Sequence, residues 1–106
     1  MSMKWPNKDP DEVLDYSIDW SRFLGTGIIA TYTWFVEDAE GVKTELTSSG
    51  PTVNGIQLVS ATATNTITTA YIGAGINNVL YKFTCQITDS KGLVVERSVR
   101  LRVRNK

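Results

Sequence analysis

From Leu14 the chain alternates between apolar and polar positions. Leu14, Tyr16, Ile18 and Trp20 fall on one side of an extended backbone, and Asp15, Ser17 and Asp19 on the other, which is the pattern of a strand with one buried face. Phe23, Leu24 and Gly25 mark a turn, and residues 28–36, dense in β-branched and aromatic side chains, read as a second strand. Glu37-Asp38-Ala39-Glu40-Gly41 is turn material, and residues 42–46 return as a short edge strand. Ser48-Ser49-Gly50-Pro51 then breaks the chain. Asn54-Gly55 suits a turn with positive φ at the head of an apolar run. Residues 66–72 are Thr-rich and β-branched, which disfavours helix, and Gly73-Ala74-Gly75 stops them. The clearest alternation is Val79, Tyr81, Phe83, Cys85 and Ile87. Asp89-Ser90-Lys91-Gly92 turns it into a last strand, with Val95, Arg97, Val99, Leu101 and Val103 on one register and Glu96, Ser98, Arg100, Arg102 and Arg104 on the other.

About seven short strands without a sustained helical period predict an all-β fold, an immunoglobulin-like antiparallel β-sandwich over residues 13–106, with a small barrel as the alternative. Residues 1–12 carry Pro6, Pro10, a lone Trp5 and a cluster of charges, and read as an extended N-terminal arm. Trp5, Pro6, Asp9 and Pro10 on that arm are candidate partner contacts, because an isolated aromatic on a short tether anchors well in another protein. Packing of Trp5 back onto its own domain is the equal alternative. Trp20 and Trp34 sit on strand patterns and read as core.

Composition narrows the function. The 106 residues make one small domain with a modest core. Histidine is absent, which removes the usual general base and the commonest metal ligand. Cys85 alternates with Phe83 and Ile87 and reads as a small buried hydrophobe with no base beside it. No enzyme is expected, and no catalytic residue, cofactor or metal site. The carboxylate pairs Asp9 and Asp11, Asp11 and Glu12, and Asp38 and Glu40 lack the spacing of a calcium loop, and Gly73-Ala74-Gly75 lacks the residues of a phosphate loop. A single cysteine fits folding in a reducing compartment, and no apolar run suggests a signal peptide or a membrane helix.

Charge is unevenly placed although the formal net charge is zero. Residues 1–20 are net acidic and residues 91–106 net basic, with Arg100, Arg102 and Arg104 forming a candidate basic face. A zero balance argues against a nucleic-acid partner. The stronger reading of the arginines is internal, with Asp15 and Asp19 facing Arg100 and Arg102 as cross-strand pairs if the first and last strands are neighbours. From Leu46 to Tyr81 no residue is charged. Such a face meets another protein without desolvating ions, or simply covers a sheet with hydroxyls.

The run Lys8-Asp9-Pro10-Asp11-Glu12-Val13-Leu14-Asp15-Tyr16-Ser17-Ile18-Asp19-Trp20 with Phe23-Leu24-Gly25, together with Tyr81 to Ile87, Gly92, Glu96-Arg97-Ser98 and Arg102-Val103-Arg104, resembles the phage fibre-tail adaptors. These are small immunoglobulin-like virion proteins of tailed bacteriophages. The resemblance spans nearly the whole chain and is weakest in the middle. It implies a structural protein of the virion, made in the bacterial host cytoplasm, placed in the neck, tail or fibre attachment region. It also implies binding to other virion proteins and to further copies of itself, without a membrane or a small-molecule substrate. The rival reading is an immunoglobulin-like carbohydrate- or receptor-binding module that works through loops at one end of the sandwich.

Overall fold

A computed structural model describes residues 3–38 and 40–105. Residues 1 and 2 of the expected arm, Ala39 of the expected turn and Lys106 of the basic end lie outside the described residues. Eight strands are described: β1 (Met3–Lys4), β2 (Leu14–Asp19), β3 (Ile29–Glu37), β4 (Lys43–Leu46), β5 (Ile56–Ala63), β6 (Ile67–Ala74), β7 (Leu80–Asp89) and β8 (Val94–Arg102). A single helical turn, α1 (Ser21–Leu24), takes the place of the turn expected around Phe23. Among the described residues no helix is long and apolar enough to cross a membrane.

The strands form two sheets, a five-stranded one ordered β1-β8-β7-β3-β4 and a three-stranded one ordered β2-β6-β5. The barrel alternative therefore fails. All pairings are antiparallel except β1 with β8. The orders β2-β6-β5 and β8-β7-β3-β4 are those of strands B-E-D and G-F-C-C′ of an immunoglobulin-type sandwich. The alternation read from the sequence maps onto the layers directly. Tyr16, Ile18, Ile56, Leu58, Ala70 and Ile72 from one sheet meet Trp34, Val36, Phe83, Cys85, Ile87, Val99 and Leu101 from the other, all buried. β4 is the edge strand expected there.

Turns fall where the residues allow them. Asn54 and Gly55 have φ of 54° and 81°, and Val53 and Ile56 exchange both backbone hydrogen bonds across them, at 2.8 and 3.0 Å. This is the two-residue turn whose twist matches that of its strands. The expected stop at Gly73 comes slightly later, because β6 runs on to Ala74 and bends there and at Gly75, with φ of 60° and 110°. In the core the Trp20 indole N–H donates to the Thr68 hydroxyl at 2.9 Å, and the Cys85 thiol lies 3.6 Å from the same oxygen. A buried threonine thus satisfies the one polar atom that Trp20 carries inside.

The segment expected as an arm is part of the sandwich. After β1 the chain continues along β8: Trp5 N–H donates to Arg100 C=O at 2.8 Å, Lys8 N–H to Arg102 C=O at 3.1 Å, and Arg104 N–H to Lys8 C=O at 2.8 Å. Only beyond Lys8 does the chain cross to the other sheet, through residues 9–13, to start β2. Pro6 does not prevent this, because proline is tolerated at a sheet edge where its missing N–H faces outward, and Pro10 lies beyond the pairing, in the crossing turn.

Candidate functional site

The four arm residues proposed as partner contacts do not form one surface. Trp5 is buried. Its ring stacks on Tyr16 at 4.6 Å and tilts against Phe83 at 5.6 Å and Trp34 at 5.8 Å, so it joins the two sheets. Of the two destinations open to it, its own domain is the one the structure shows. Pro6 is exposed and its carbonyl accepts the Tyr16 hydroxyl at 3.2 Å. Asp9 and Pro10 are half-buried in the crossing turn, where Asp9 N–H donates to Glu12 Oε1 and Asp9 Oδ1 accepts Asp11 N–H, both at 2.8 Å. Those groups shape the turn. Lys8 is fully buried, and its ammonium donates to the carbonyls of Asp9 and Ala74.

Arg100, Arg102 and Arg104 share the outward register at the end of β8, opposite buried Val99, Leu101 and Val103. Arg102 donates to Asn78 C=O at 3.4 Å. Arg100 lines a cavity of about 570 Å³ with Glu37, Asp38, Leu80 and Lys82. Across this cavity Lys82 pairs with Glu37 at 3.1 Å, and farther along the same sheet Lys43 reaches Glu96 at 3.0 Å. The expected pairing of Asp15 and Asp19 with Arg100 and Arg102 does not occur. β2 lies in the three-stranded sheet and faces β6, so Asp15 stands opposite Tyr71 and Asp19 opposite Ile67. Strand neighbours are set by topology, and the first long strand and the last fall in different layers. Asp19 instead accepts Ser21 N–H at 2.9 Å, and that backbone bond, helped by the charge of Arg22, lowers its pKa.

The uncharged stretch occupies β5, β6 and the turns around them. Its outward row reads Gln57, Ser60, Thr62, Thr69 and Tyr71, and the Thr69 hydroxyl bonds that of Ser17 on β2 at 2.8 Å. A side chain at Gly73 on this face would have to displace Val59, since a Cβ there would lie 2.9 Å from Val59 Cγ2 and 3.4 Å from Val13 Cγ2. Val13 is more than half exposed beside it. Arg97, which falls on the inward register, is half-buried and stacks over the Phe23 ring at 4.2 Å, closing one end of the sandwich.

Chemically reactive groups are quiet. Burial pushes the Cys85 thiol up to about 12, with the Thr68 contact acting weakly the other way. Burial, then Glu12 and Asp15, also raise Tyr16 to about 12. Both groups stay protonated in the folded chain after they would ionise in the unfolded one. Their neutral forms are the native ones, so stability declines as pH rises from about 9 toward 12 while the unfolded chain alone releases protons. Two measurements check this. A thiol reagent at pH 8 is expected to leave Cys85 unmodified until denaturant is added, and the unfolding midpoint is expected to fall across that alkaline range. Among the described residues no group of three or more histidine, cysteine, aspartate or glutamate side chains is arranged to hold a metal ion.

Comparison with known proteins agrees with the geometry. No curated protein matches the chain. Among solved structures it is similar to the solution structure of the PKD domain from KIAA 1837 protein, with a TM-score of 0.50, 22% sequence identity, and coverage of 96% of this chain and 83% of that one. That likeness shows the fold, an immunoglobulin-like β-sandwich. The family model described as Podophage GP4 fiber-tail adaptor protein gp77 matches residues 8–102, from the buried lysine to the end of β8. Because that match covers most of the sequence, the chain belongs to the podophage GP4 fibre-tail adaptor family.

Proposed function

We propose that this chain is a non-enzymatic structural part of a tailed-phage virion that couples a fibre to the tail. It acts in the neck, tail or fibre-attachment region by binding other virion proteins, further copies of itself included. The observation that carries this reading is the family match over residues 8–102. The structure supports it in three ways. The Cys85 thiol is sealed in the core and held protonated. Trp5, Trp20 and Trp34 are buried and unavailable as a stacking platform for a sugar. The surfaces that remain are extended sheet faces and edges, which suit protein contacts. The basic stripe of Arg100, Arg102 and Arg104 is one such surface, and the zero net charge of the chain gives it no general attraction for nucleic acid.

Disrupting the coding sequence in a phage that carries it tests this reading. The expected product is particles with head and tail but no fibres, restored by supplying the chain in trans. Particles that keep their fibres without the chain would overturn it.

A further inference from the structure

We propose that the free edge of β2 receives an extended strand from a partner virion protein, one that alternates basic and apolar side chains. This rests on the adaptor reading and names a surface and a partner chemistry for it. In a sandwich of this strand order another strand normally lies beside the one that β2 represents. Here β1 pairs with β8 instead, and among the described residues nothing pairs with the outer side of β2. Trp20 N–H donates to Thr66 C=O, which fixes the alternation: residues 14, 16, 18 and 20 turn their backbone groups toward β6. The N–H and C=O groups of Asp15, Ser17 and Asp19 therefore point away from the sheet. An added strand would bond to all three residues and extend the ladder.

The side chains at those three positions select the occupant. All three are exposed on the same face, and Ser17 is held by its bond to Thr69. Two β2 edges laid antiparallel about Ser17 would set Asp15 of each copy against Asp19 of the other, and like charges directly opposite are destabilising. The edge thus rejects its own copy. A neutral strand would crowd both carboxylates and bring no counter-charge of its own, leaving Asp19, among the described residues, with Arg22 alone nearby. A strand with Lys or Arg four residues apart would meet both, so repulsion and attraction specify the same partner. The residues next to each basic position would turn to the inward face, level with buried Tyr16 and Ile18, where apolar side chains suit them.

The test supplies variants in trans to particles that lack the chain and measures how much of each is recovered in fibre-bearing virions, with thermal unfolding as the check on folding. Ser17→Pro removes an N–H that no bond inside the fold uses, and a proline is tolerated there on an edge strand. Ser17→Ala removes only the hydroxyl. Asp15→Lys with Asp19→Lys reverses the charge, and Asp15→Glu with Asp19→Glu keeps it. The expected result is recovery near wild type for the Ala and Glu variants, and at least about tenfold lower recovery for the Pro and Lys variants. Folded Pro and Lys variants recovered at the wild-type level would overturn the inference and leave the adaptor reading standing. If the proline unfolds the chain, the lysine pair decides alone. Virions that carry fibres with no copy of the chain at all would overturn the adaptor reading, and this inference with it.

Discussion

Replacing Trp5 with alanine is expected to lower folding stability by about 3–5 kcal/mol, the range for emptying a large aromatic site in a packed core. Trp5 sits between the sheets, in contact with Tyr16 from one and with Trp34 and Phe83 from the other. A domain of this size has total stability of about 5–15 kcal/mol, so the variant is expected to be partly unfolded at 37 °C. Chemical denaturation of the purified chain measures it. Trp5→Phe should cost much less, because the Trp5 indole N–H is buried without a hydrogen-bond partner, and losing an unmet donor offsets part of the lost contact. If Trp5 were an anchor on a free arm, alanine would leave the denaturation curve where it is and weaken only assembly. An unchanged midpoint would contradict the packing described above.

Replacing Lys8 with methionine is expected to cost about 2–4 kcal/mol, since two hydrogen bonds from a charged donor contribute about 1.5–3 kcal/mol each and no longer burying an ammonium offsets part of their loss. Methionine fills a similar volume but donates nothing, so the carbonyls of Asp9 and Ala74 lose the buried ammonium that joins the crossing turn to the end of β6. The same denaturation experiment reads the effect, and arginine should not rescue it, because a planar fork does not fit a site shaped for a compact ammonium. A methionine variant as stable as wild type would show that Lys8 is not needed to fix the turn. Both predictions bear on truncation. Removing residues 1–12 takes away Trp5 and Lys8, so lost incorporation of such a truncated chain would report unfolding as readily as a lost contact.

Period-two patterns carried the fold. β2, β7 and β8 were legible residue by residue because each buries one face, and the alternation in the sequence is that face. The Asn54-Gly55 turn was legible because few residue pairs accept two positive φ angles in succession. The role of residues 3–8 was not. Six residues with a proline among them show no periodicity, and what orders them is a parallel neighbour nearly a hundred positions away, Val99 to Val103. A lysine in a charged run reads as solvated, and nothing local tells that its ammonium ends beneath two carbonyls. The charge pairing failed for a related reason. Which strands are neighbours depends on how the layers are wound, so the outward acids of β2 and the outward arginines of β8 were each placed on the correct side of their own strands and then matched across a sheet boundary. That failure leaves β2 with an acidic edge and, among the described residues, no basic strand beside it.

A reconstruction of the fibre base in the assembled virion tests the central claim most directly. The result expected is density for this sandwich wedged between fibre and tail, its hydroxyl-bearing sheet or the acidic edge of β2 covered by another polypeptide, and Trp5 inside its own fold. A fibre joined to the tail with no such density between them, or this chain found only away from the junction, would contradict it.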